Sequence, residues 1–214
     1  MEMQDILNKK EELHPDLVKY MTKHDTLNFD MIQHPLVYSI MHSEQLNALV
    51  NKQYEQKLKS IEEAIKEKDY TSYIWLHERP YRLQAFVSVL DNITPKEYWE
   101  GLSSIWTDSE NIWQNKKIWK GLLSLSEKQD TKHLFMSESD LKTYNELPNE
   151  FKVYRGYIID QNENGFSYTL NKEKAEWFSK RFHKNGSVLE RTVKKEDIFA
   201  YTNERGEQEV IILK

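Results

Sequence analysis

An arginine, a serine–threonine pair and two glutamates one residue apart stand near the C-terminus of this chain. Arg155 lies in 151-FKVYRG-156, Ser167 and Thr169 in 165-GFSYTL-170, and Glu207 and Glu209 in 206-GEQEVIIL-213. A guanidinium fork suits paired anionic oxygens, and hydroxyls place hydrogen bonds. A carboxylate held in position stabilises positive charge as it develops. Nothing before residue 150 offers a comparable set.

The elements that must position these groups are legible as a series of strands. Residues 152–157 alternate and are rich in Val and Tyr, the pattern of a half-buried strand. Gly156 follows Arg155 directly and, lacking a Cβ, is expected to let a ligand approach the backbone. A second strand, 165–170, turns Ser167 and Thr169 to one face and Tyr168 to the other. Asn171 then reads as the N-cap of a helix whose Ala175, Phe178 and Phe182 share one side, with Gly186 as its stop. Strands at 187–193 and 198–202 lead into the turn 203-NERG-206. The last strand, 207–214, begins with Glu207 and Glu209 on one face. It continues as an apolar run that belongs in a sheet interior.

Taken together and in this order, Arg155, Ser167–Tyr168–Thr169 and Glu207–Gln208–Glu209 resemble the motifs of the Arg–Ser–Glu class of mono-ADP-ribosyltransferases. The resemblance covers residues 151–214; the whole chain is also similar to uncharacterised proteins of bacterial viruses. It implies an ADP-ribosyltransferase-like sheet, NAD as substrate and a protein acceptor. Cleavage of the nicotinamide–ribose bond passes through an oxocarbenium-like state, as glycoside cleavage does. By resemblance Glu209 stabilises that state and binds a ribose hydroxyl. Glu207 orients or deprotonates the acceptor, and a Glu at its position goes with arginine targets. Arg155 pairs with the pyrophosphate, Gly156 offers its backbone to the nicotinamide amide, and Ser167 and Thr169 hold the catalytic glutamate and the ribose. Tyr154 is counted with the NAD-contacting residues.

One departure from the family pattern stands out. Only eleven residues, 156–166, separate Arg155 from Ser167, where the family inserts a helix and a loop that closes over nicotinamide. The stretches 79–86 and 106–113 are therefore expected to wall the cleft instead. Two alternatives stay open. In one, a degenerate ADP-ribosyltransferase-like fold binds a nucleotide or a protein without turnover. In the other, an unrelated α+β phage accessory protein carries the motifs by chance.

The remainder of the chain reads as scaffold. Its 38% hydrophobic and 30% charged residues suit one or two small soluble domains. With no cysteine there is no thiolate metal site, and this fits a reducing cytoplasm, that of a bacterial host if the chain is phage-encoded. The seven histidines, His34, His42 and His77 among them, lack metal-ligand spacing, so no metal is expected. A net charge of −5 does not favour non-specific nucleic-acid binding, and no apolar run is long enough for a membrane span.

All five prolines precede residue 150 and four of the six glycines follow it. A helical domain over 1–148 and a β-rich core over 149–214 are expected accordingly. Helices are anticipated at 4–12, 15–23, about 44–68, 70–77 and 78–90, while 33–42 is ambiguous. Thr94–Pro95–Lys96–Glu97 and Thr107–Asp108–Ser109–Glu110 both read as helix-opening capping boxes, the second opening a helix through 125. Ser137–Asp140 opens a short one. Trp99, Trp106, Trp113 and Trp119 recur near helical spacing and read as a packing core. Arg79 and Arg82 read as surface ion-pairing residues, with contact to NAD phosphates or a partner as the alternative.

Overall fold

At Thr94 the hydroxyl accepts a hydrogen bond from Glu97 N (3.2 Å) and the Glu97 carboxylate accepts one from Thr94 N (2.7 Å). The expected capping box is formed, with Pro95 at the first helical turn. Thr94 also opens the second of two units, Met1–Ile93 and Thr94–Lys214. This computed structural model describes residues 10–110, 112–181 and 185–213. The fold class is α+β with antiparallel sheets.

The first unit holds helices α1 (Pro15–Val18), α2 (Asn47–Glu67), α3 (Tyr70–Leu76) and α4 (Arg82–Val87). It also holds an antiparallel sheet of β1 (Met21–Lys23), β2 (Asp30–His34) and β3 (Val37–His42). This corrects the all-helical reading of residues 1–148. The helix expected over 15–23 stops at Val18, and the ambiguous 33–42 segment is largely strand. Leu17, Ile32, Leu36 and Val37 bury together against Val50 and Tyr54 of α2, and this non-local packing decides the conformation. Most of the helix expected at 4–12 lies outside the described residues.

The second unit begins well before the composition change at 148. Helices α5 (Pro95–Asp108) and α6 (Lys116–Leu123), a 3₁₀ run (Ser126–Phe135) and α7 (Glu138–Glu146) precede the sheet. Trp99, Trp106 and Trp119 are fully buried, while Trp113 is 38% exposed. The Trp99 indole donates to Lys128 O and Thr131 Oγ1, both at 3.1 Å, and its ring packs on Phe199. The division at 93/94 follows from this packing. The expected second capping box is absent. Thr107 lies inside the last turn of α5, and Ser109 ends that helix as its C-cap, donating its hydroxyl to Ile105 O at 2.7 Å, so the T-x-x-E pattern opens no helix there.

The sheet contains β4 (Glu150–Ile158), β5 (Ser167–Thr169), β6 (Gly186–Lys194), β7 (Ala200–Thr202) and β8 (Glu209–Ile211) in the order β6-β4-β5-β8-β7, every pair antiparallel. β8 is interior, as its apolar run implies. One face buries Val153, Tyr168, Val193, Tyr201 and Val210, with Tyr144 and Leu147 packed against them. Helix α8 (Lys172–Lys180), capped by Asn171 Oδ1 on Lys174 N at 3.1 Å, packs along β4. Phe182 lies outside the described residues.

Two glycines have reasons other than those expected. A Cβ on Gly156 would fall 2.0 Å from Ala175 O and 2.8 Å from Phe178 Cβ, so the missing side chain admits α8. Gly186 is the first residue of β6, and a Cβ there would meet Ser179 O at 1.8 Å. Gly156→Ala should therefore destabilise by about 1–3 kcal/mol or more through overpacking. Gly121→Ala, in α6 with open space at its Cβ, should be neutral or stabilising. Thermal melts of the two variants check this, and equal melting temperatures would contradict it.

Candidate functional site

Glu209 begins the central strand β8 and is 3% exposed. It sits in register with Thr169 of β5 and Thr202 of β7, and Thr169 in turn with Tyr154 of β4. These side chains share one sheet face. Over that face the Trp106 indole donates to Glu209 Oε2 at 3.2 Å. Arg205 Nη2 lies 3.6 Å from the same oxygen and 3.1 Å from Glu207 Oε2. The other oxygen, Oε1, is buried and has no hydrogen-bond partner among the described residues.

Burial pushes the Glu209 carboxyl above its ordinary value, and the neighbouring Glu207 charge adds to this. The Ser167 side chain, Arg205 and Trp106 pull in the opposite direction without cancelling it. A carboxylate raised by desolvation and lining a cavity is a candidate for chemistry.

Glu207 lies just outside β8. Gln208 takes a left-handed backbone (φ 47°) between the two glutamates, which breaks the strand alternation expected for them. Their carboxylates still meet at Arg205. The Thr169 hydroxyl is already committed: it donates to Glu207 O at 2.6 Å and accepts from Asn171 N at 3.0 Å. Thr169 therefore secures the turn that carries Glu207.

Arg155 alternates with Tyr154, so the register assigns it to the face opposite Glu209. However, β4 and β5 pair only at Tyr154 and Thr169. Beyond that pair the guanidinium enters the gap, with Nη1 donating to Ser167 O at 2.5 Å and Nη2 to Asn162 O at 2.8 Å. The side chain thus takes a carbonyl that a continued ladder would have used. Its Nε is buried without a partner, and burial draws the guanidinium below its ordinary pKa. A Cβ at Gly165 would strike this guanidinium at 2.0 Å. The segment between is a tight turn, in which Asn162 Oδ1 accepts from Ile158 N at 2.8 Å.

Around the gap lies a cavity of about 160 Å³ lined by Tyr154, Arg155, Gly156, Ser167, Thr169, Glu207 and Glu209, together with Asn162, Tyr168, Phe178 and Arg205. Every site residue expected from the sequence is on that wall. A neighbouring cavity of about 150 Å³ shares Arg155, Asn162 and Ser167 and adds Trp113 and Lys116. The stretch 106–113 thus contributes Trp106 on Glu209 and Trp113 to the second cavity. The stretch 79–86 belongs to the first unit.

The chain matches no protein family, no curated protein and no solved structure. The site is therefore read from its own geometry. Sequence reasoning missed Arg205 and Asn162 as wall residues. Arg205 had a signal, its place two residues before the E-x-E; Asn162 had none beyond a polar turn. A larger hollow of about 420 Å³ beside α2 and α3 carries no comparable chemistry. Its Asp69 is the N-cap of α3, accepting from Ser72 N at 2.9 Å. Among the described residues no group of three or more His, Asp and Glu could hold a metal ion. No helix among them is long and apolar enough to cross a membrane.

The raised Glu209 value has a consequence for stability. A carboxyl whose folded-state pKa lies above its ordinary 4.5 contributes stability that is complete below that value and is lost as pH rises through the raised one. Glu209→Gln removes the buried charge. Its melting temperature, relative to the parent protein, should climb as pH rises from the ordinary carboxylate range towards neutrality. A difference independent of pH would contradict the burial argument.

Proposed function

We propose that this protein is an NAD-dependent mono-ADP-ribosyltransferase whose catalytic carboxylate is Glu209. The observation that carries the reading is the buried Glu209 with one unpartnered oxygen, in a cavity also lined by Arg155 and Ser167. Three short sequence motifs, at 155, 167–169 and 207–209, thereby contribute to a single site. An ADP-ribosyltransferase-like sheet type is part of the same proposal.

In this reading the bond between ribose C1′ and the nicotinamide nitrogen breaks, and its electron pair leaves with nicotinamide. The positive charge left on the ribose is stabilised by ionised Glu209, where low dielectric strengthens the interaction. An acceptor guanidine nitrogen bonds to C1′ and loses its proton to Glu207. Ser167 favours the charged form of Glu209, the form the reaction needs. Trp106 holds the carboxylate in one orientation, so little reorganisation accompanies charge development. Arg205, bridging both glutamates, occupies the place of an incoming cationic acceptor and must yield to it.

A specific observation favours the degenerate alternative. Both terminal nitrogens of Arg155 already serve backbone carbonyls, and each cavity alone is smaller than a dinucleotide. Nucleotide binding without nicotinamide release would establish that reading.

The deciding experiment incubates the protein with labelled NAD and arginine-bearing acceptor proteins and follows nicotinamide release and acceptor labelling. Glu209→Gln should lower both transfer and NAD hydrolysis by on the order of 10²–10³. Glu207→Gln should abolish acceptor labelling while largely sparing hydrolysis. Melts of both variants separate these effects from unfolding. Equal loss of hydrolysis in the two variants, or full activity in Glu209→Gln, would overturn the assignment.

A further inference from the structure

Arg155 and Arg205 both line the Glu209 cavity, and they are held differently. Both terminal nitrogens of Arg155 serve the Ser167 and Asn162 carbonyls. Arg205 instead turns Nη2 towards the two glutamates, 3.1 Å from Glu207 Oε2 and 3.6 Å from Glu209 Oε2. Its Nη1 makes a longer hydrogen bond, 3.4 Å, to Thr107 O. The turn beneath it is pinned. Gly206 N donates to Asn203 O at 2.8 Å, Gln208 N to Asn203 Oδ1 at 3.0 Å, and Asn203 N to Asp140 Oδ1 at 3.1 Å. Arg205 is thus kept beside both carboxylates by its own backbone, and an external guanidinium reaches them only by displacing it.

In the proposed reaction the nucleophile is a guanidine nitrogen and its base is Glu207. The contact between Arg205 Nη2 and Glu207 Oε2 already joins two such groups. Glu209 meets Arg205 through Oε2, while its buried Oε1 has no partner and is left for the ribose. We propose that Arg205 is itself an acceptor, so that the chain ADP-ribosylates its own Arg205 and thereby limits its own activity. This rests on the transferase reading and adds to it one acceptor and a regulation of the same site. The bond from ribose C1′ to the nicotinamide nitrogen breaks, and its electron pair leaves with nicotinamide. Arg205 Nη2 bonds to C1′ and gives its proton to Glu207. Tethering makes the step unimolecular, which favours Arg205 over an acceptor free in solution. The attached group then obstructs the cavity in which NAD reacts.

Incubation of the full chain with NAD and no other acceptor tests it, with nicotinamide release followed and the modified residue located by peptide mass mapping. A single ADP-ribose should accumulate on Arg205, with a rate constant independent of protein concentration. Nicotinamide release should slow in step with it. Glu207→Gln should still release nicotinamide but lose the label on Arg205. Arg191→Lys, in β6 and outside the cavity lining, should label as the parent does. The mapping is made on the parent chain, so it does not depend on a variant folding.

Glu209-dependent nicotinamide release with Arg205 unmodified would overturn the self-modification and leave the transferase standing. A rate constant that rises with protein concentration would do the same, since one chain would then be modifying another. An Arg205 label that survives Glu207→Gln would overturn the step as written. No nicotinamide release from the parent chain would overturn both readings together.

Discussion

The hydrogen bond from the Trp106 indole to the Glu209 carboxylate joins residues 103 positions apart and fixes the relation between helix layer and sheet in the second unit. A buried carboxylate is costly unless its oxygens are served. Here one oxygen is served by Trp106 and approached by Arg205, and the other is left without a partner. Trp106 itself is wedged edge-on against Trp119, ring centres 5.0 Å apart. The carboxylate is thus held by a rigid aromatic wall, and the remaining cost is concentrated where the cavity begins. A fold built only for stability gains more from an apolar residue at this position.

Arg155 supplies the second constraint. A continuous β4–β5 ladder would seal the sheet and leave no room beside Glu209. By taking the Ser167 and Asn162 carbonyls, the guanidinium holds the strands apart at low backbone cost. Gly165 is required because the guanidinium fills the space of its side chain. The short 156–166 connection is thereby a pinned turn, and the walls that a longer insertion could have supplied come from the segment after α5 instead.

Much of this was legible in the sequence because it is local. The alternation of β4, the apolar run of β8, and the caps at Thr94, Ser137 and Asn171 all depend on nearest neighbours. The ordered Arg155, Ser167 and Glu209 motifs found one cavity for the same reason: each sits at a strand position that short-range pattern can place. What escaped was non-local. The sheet formed by β1, β2 and β3 depends on α2, the Trp106–Glu209 contact crosses half the chain, and the division at 93/94 follows tryptophan packing. At Gly156 a missing side chain announces close approach without saying by what, and α8 is one such neighbour. Thr107 misled because a T-x-x-E spacing marks a helix start only where the chain enters a helix, and here Thr107 lies in the last turn of α5.

The account turns on what lies against the free oxygen of Glu209. A crystal structure with a non-cleavable NAD analogue tests it most directly. The account predicts the nicotinamide-side ribose beside Glu209, with a ribose hydroxyl within hydrogen-bond distance of Oε1, roughly 2.5–3.0 Å. A ligand at saturating concentration that binds away from Glu209, or leaves that oxygen uncontacted, would contradict it.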